Sequence, residues 1–197
     1  MLSSISPFGE RSRNSRWWLT VTAYMVGSIA GGATTGLIFG ALGQVTFGSL
    51  DADIALLVLA GAGALGVAAD LGFAGLRVPS IHRQVNEDWL TTYRGWIYGV
   101  GFGYQLGLGL ATIVATSTVW LTWIAAAMTG SWQQGLLLGA AFGATRGAFI
   151  FTTRRIEDPA SLRRLFRAIA SQSGSVHRIA TIAAALTALT ALGGAIT

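Results

Sequence analysis

The sequence predicts an all-α, polytopic transmembrane bundle of about five spans. Three observations predict it. Hydrophobic residues make up 52% of the 197 and charged residues only 11%, against about 25% charged in soluble domains. Mean hydropathy is +0.58. Five apolar stretches, 17–45, 53–76, 95–128, 132–152 and 179–197, are each near or above the roughly 20 residues that cross a 30 Å hydrocarbon core. The basic residues then fall in every second connector.

That last pattern orients the chain. All 13 basic residues are Arg. Arg11, Arg13 and Arg16 precede the first stretch, and only Asp51 and Asp53 mark the next connector. Arg77, Arg83 and Arg94 follow the second stretch, with Glu87 and Asp88. No charge separates the third and fourth stretches. Arg154, Arg155, Arg163, Arg164, Arg167 and Arg178 lie between the fourth and fifth. The positive-inside rule reads this as five spans with a cytoplasmic N-terminus, in a bacterial plasma membrane. The net charge of +5 is therefore a topology signal, and no nucleic-acid partner is expected.

The first stretch lacks a cleavage site after its charges, so it reads as a retained span. The third is longer than one straight crossing needs, so it tilts, extends beyond the bilayer, or breaks near its glycines. Asn86, with Glu87 and Asp88 behind it, reads as the start of a short helix in the second connector. Asp158-Pro159 is an acidic cap followed by proline at the first helical position. Leu162, Leu165, Phe166 and Ile169 follow at helical spacing. This predicts an amphipathic helix over 159–172, lying on the cytoplasmic membrane face or on the protein's own loops. Ser171 to Ser175, with Gly174, is expected to end it before a last span over 179–197.

A shift of 78 residues superposes Arg16 on Arg94, Trp18 on Trp96, Gly31 on Gly109, Thr34 on Thr112 and Arg77 on Arg155. It predicts one membrane domain over 1–197, built from a duplicated two-helix unit, about 16–77 and about 94–155, plus the last helix. Glycines recur every fourth position at Gly32, Gly36 and Gly40, at Gly99, Gly103 and Gly107, and at Gly135, Gly139, Gly143 and Gly147. Such strips let helix backbones approach closely. Some could instead line a pathway.

Two charges lie inside the apolar stretches, Asp70 and Arg146. A charge at that depth rarely stays unpaired. The two sit at similar depth on equivalent helices of the duplicated units, which predicts an ion pair. It would serve an ion or polar solute, or lock the two units together. Tyr104, Gln105, Thr112 and Thr116 add hydrogen-bonding groups at membrane depth. Trp17, Trp18, Trp89, Trp96, Trp120, Trp123 and Trp132 read as interfacial aromatics.

Catalytic chemistry is not called for. There is no Cys, which removes disulfides and thiol redox chemistry. His82 and His177 stand alone in connectors and read as solvated or interfacial. No hydrolase, metalloprotease or nucleotide-binding motif appears. No metal and no cofactor is expected.

The stretches Tyr98-Gly-Val-Gly-Phe-Gly-Tyr-Gln-Leu-Gly-Leu-Gly109 and Gly135-Leu-Leu-Leu-Gly-Ala-Ala-Phe-Gly-Ala-Thr-Arg-Gly147 resemble the membrane domain of the cytochrome c biogenesis and DsbD-type thiol transporters, within the LysE-like superfamily. The resemblance implies a bacterial transporter-like fold. It carries over no site residue, because that family's paired cysteines and neighbouring prolines are absent. Two readings stay open. One is a small transport or channel-like protein for a solute or ion. The other is a non-catalytic structural or assembly subunit that binds other membrane proteins or itself. A water-accessible crevice at Asp70 and Arg146 favours the first, and an enclosed site the second.

Overall fold

A computed structural model describes residues 5–12, 14–76, 78, 94–109 and 116–196. Within them the chain is all helical. The helices are α1 (Pro7–Ser12), α2 (Trp17–Phe47), α3 (Ala52–Asp70), α4 (Gly95–Leu108), α5 (Thr118–Met128), α6 (Trp132–Ala148) and α7 (Pro159–Ile196). Short 3-10 turns follow α3 (Phe73–Gly75) and α6 (Phe149–Arg155). Four helical runs are long and apolar enough to cross a bilayer: α2, α3, Trp132–Arg155 and α7. The expected helix at Asn86, and also Arg77, His82, Arg83 and Trp89, lie outside the described residues.

The bundle is organised around α2. On one side α4 runs parallel to it, with Gly99 against Thr20, Gly103 against Tyr24 and Gly107 against Ser28. On another side α6 runs antiparallel, with Gly143 against Ser28, Gly139 against Gly32 and Gly135 against Gly36. A methyl group added at Gly32, Gly36, Gly103 or Gly107 would overlap a carbonyl of the facing helix. The strips are therefore consumed by backbone-to-backbone packing, and leave no room for a path along them. Without a hydrophobic driving force between helices in lipid, such contact is what holds membrane helices together. Ser28 strengthens the α2–α6 contact by donating to the Gly143 carbonyl at 2.7 Å.

Of the three forms expected for the third stretch the structure takes the break near a glycine, and one expected boundary, at Gly174, moves. The third apolar stretch is two helices, α4 and α5, lying one after the other along α2. Phe39 stacks on Trp123 with ring centroids 6.1 Å apart, and Gly43 meets Ala127. The break begins at Gly109, where φ is +72°. Only glycine takes that conformation freely, and a side chain there would also meet the rings of Phe142 and Trp123. Conversely, the two helices expected on either side of Gly174 are one, α7, of 38 residues. Gly174 keeps a helical backbone and is absent from the positive-φ glycines. An interior glycine costs a helix only about 1 kcal/mol, too little to end a long one.

α7 lies antiparallel to α3, with Ala188 against Gly63 and Leu56 near Gly194. It packs on α3 and α5. The outer half of the expected first unit, α3, thus rests on α7 and α5 rather than along α2. Val26, Leu42 and Val45 of α2, Leu57 and Leu65 of α3, and Ile179, Ile182, Leu186 and Leu189 of α7 are exposed. An aliphatic surface of that extent fits a bilayer and not water.

Candidate functional site at the broken helix

Asp70 is the last residue of α3. Its carboxylate accepts from the Ser117 backbone N–H at 2.9 Å and from the Ser117 hydroxyl at 2.7 Å. Ser117 is the N-cap of α5. The Asp70 carbonyl in turn meets the His177 ring Nε2 at 3.0 Å. A carbonyl only accepts, so Nε2 is the donor in this contact. Asp70 thereby joins α3, α5 and α7 at one point.

Arg146 reaches the other side of the break. Its guanidinium donates to the Gly109 carbonyl at 3.5 Å and sits 5.6 Å from the centre of the Phe142 ring. That bond is long, so it acts as much through charge on a dipole as through hydrogen bonding. Thr35 donates to the neighbouring Leu108 carbonyl at 3.2 Å. Among the described residues, the two charges expected to pair meet different groups: Ser117 and His177 for Asp70, the Gly109 carbonyl and the Phe142 ring for Arg146. Depth alone suggested the pair, but α3 ends beside α5 and α6 packs beside α2.

Of the other candidate residues, Tyr104 donates to the Thr34 hydroxyl at 3.3 Å across the α2–α4 contact. It serves a neighbouring helix, not an open lining. Gln105 is half-buried on α4, and Thr112 lies outside the described residues. Trp123 is fully buried, and among the described residues neither its indole N–H nor that of Trp17 meets an acceptor. His177, expected to be solvated or interfacial, is half-buried with its ring on the Asp70 carbonyl. Sequence reasoning missed Ser117. A Thr116-Ser117-Thr118 run inside an apolar stretch is itself a helix-start signal.

A second polar cluster was also missed. Glu10, next to Arg11 in the sequence, is fully buried. Its carboxylate accepts from the Thr20 hydroxyl at 2.8 Å and from the Tyr98 hydroxyl. Thr153 donates to the Ile5 carbonyl at 3.2 Å, and the Phe8 N–H to the Ile156 carbonyl at 3.1 Å. Short α1 is thus strapped across the end of the bundle where α2 and α4 begin and α6 ends. A lone acid among arginines was the available signal. Among the described residues no group of His, Asp and Glu could hold a metal.

A half-open cleft of about 260 Å³ lies between α5, α6 and α7, lined by Thr118, Leu121, Thr122, Leu138, Ala184 and Thr187 among others. It is mostly apolar, and among the described residues neither Asp70 nor Arg146 lines it.

These features define an all-helical membrane protein whose buried polar groups mainly hold its own helices. Among known proteins, the chain is similar to the methylamine utilization protein MauF of Methylorubrum extorquens, at 32% identity over 74% of this chain and 51% of that protein. It is similar to those of Paracoccus denitrificans, at 29% over 74% and 53%, and Paracoccus versutus, at 28% over 74% and 54%. The chain spans about half the length of the curated relatives it matches. No family model and no solved structure matches it. These relatives overturn the resemblance to cytochrome c biogenesis and DsbD-type transporters. They also overturn the transport reading, because the named role is methylamine utilization.

Proposed function

We propose that this chain is a non-catalytic membrane subunit serving methylamine utilization, and that it acts by holding a partner protein at the membrane. The similarity to methylamine utilization proteins across 74% of the chain carries the reading. The packed glycine strips and the internal use of Asp70 and Arg146 agree with it. The chain makes five crossings, four by the long helices and one by α4 and α5 end to end. Arg16, Arg94 and Arg155, at the starts of α2 and α4 and the end of the α6 run, support a cytoplasmic side for that end in a bacterial plasma membrane.

The test is deletion of the gene in its host, followed by growth on methylamine and on an amine-free carbon source. Growth fails on methylamine alone, and the tagged chain, extracted in mild detergent, co-purifies with the amine-oxidising proteins. Normal growth of the deletion strain on methylamine would sink the proposal.

A further inference from the structure

The break between α4 and α5 lies deep in the bundle. Thr35, which bonds the end of α4, stands about 27 Å along α2 from Trp17 and about 18 Å from Phe47 at 1.5 Å per residue. A helix that stops in lipid exposes unpaired carbonyls at its C-terminus and unpaired N–H groups at its N-terminus. Broken membrane helices persist only where other groups satisfy these. The two ends also carry opposite partial charges, about half an elementary charge each, negative where α4 ends and positive where α5 starts.

We infer that Asp70 and Arg146 are opposite-sign caps on the two ends of this broken helix, and that their shared depth comes from the break and not from mutual pairing. The signs match the ends. Arg146 faces the carbonyl of Gly109, the C-cap of α4. Asp70 faces the N–H and hydroxyl of Ser117, the N-cap of α5. Opposite placement would put like charge on each end. Asp70 is also the point at which His177 fastens α7, so the positive end of α5 is tied to two other helices. The inference does not rest on the proposed function.

Hydrogen–deuterium exchange on the purified full chain in detergent tests it. Asp70→Ala should speed exchange in the peptide beginning at Ser117 about tenfold or more. It should leave the peptide ending at Gly109 within about twofold. Arg146→Gln should do the reverse. The charge swap, Asp70→Arg with Arg146→Asp, should be worse than either single change. Recovery by the swap would overturn the inference, as would loosening of both peptides by each single change. Should Asp70→Ala not fold, Asp70→Asn gives the same comparison, and Arg146→Lys serves as the charge-keeping control. Arg146→Lys, which keeps the charge, should exchange as the parent does. The unfolding constant of the double variant Asp70→Asn/Arg146→Gln should equal the product of the two single effects within about twofold, as for independent sites. A double variant no worse than its worse single would show direct coupling and overturn the inference.

Discussion

Asp158 shows how much one side chain sets locally. It is fully exposed, and its carboxylate accepts from the Ser161 N–H at 2.7 Å. Chiefly that backbone bond holds its pKa below the ordinary carboxylate value, with Arg164 adding to it. A lowered folded value means that the cap is fully formed above the ordinary value of 3.8 and is lost as pH falls through the lowered one. The first turn of α7 should therefore fray at acidic pH, read from the Ala160 and Ser161 amide shifts. Asp158→Ala should remove the pH dependence. Tyr98→Phe tests the buried end of the bundle. It takes one donor from the Glu10 carboxylate, a loss of about 1–3 kcal/mol for a buried partner. The thermal midpoint should fall, and proteases should cut more readily near Arg11. An unchanged midpoint would refute the strap. At this scale the sequence was a fair guide to where charge sits and a poor one to what it touches. Asp70 and Arg146 stood out because charge in an apolar run is costly. Their partners were a serine and a backbone carbonyl, which hydropathy does not register.

At the scale of the element, glycine position matters less than glycine backbone. Gly109 at φ +72° ends α4, whereas Gly174 stays helical inside α7. Gly174 has open space around its missing side chain. Gly174→Ala should therefore stabilise the chain by about 1 kcal/mol, seen as a higher midpoint. A fall would mean that the residue leaves the helix in solution. Gly139→Val should do the opposite. Its side chain would enter the backbone of α2 at Gly32 and Gly36, and overpacking costs about 1–3 kcal/mol even against movable side chains. Little folded protein should survive extraction. The strips were legible in the sequence because period four recurs along three stretches. Which strip meets which was not, since every strip offers the same flat face.

For the whole molecule, composition and arginine placement foretold a helical membrane protein, and the described helices agree with that class. The number of crossings was harder to read. The length and glycines of the third stretch allowed a tilt, an extension or a break, and did not choose among them. Function was harder still. Glycine-rich helices with two charges in apolar stretches suggested passage of a solute, whereas the similar proteins are named for methylamine utilization. The deletion experiment belongs to this scale, because no single residue carries that role.

The capped break also bears on how the chain is made. α4 has 14 residues and α5 has 11, each too short to cross a bilayer alone. Asp70 leaves the ribosome before the break, but Arg146 leaves it after. The start of α5 thus finds its acid already in place, while the end of α4 waits for a base still being synthesised. Chains stalled before Arg146 should hold this crossing only loosely, and the membrane quality-control proteases should remove them first.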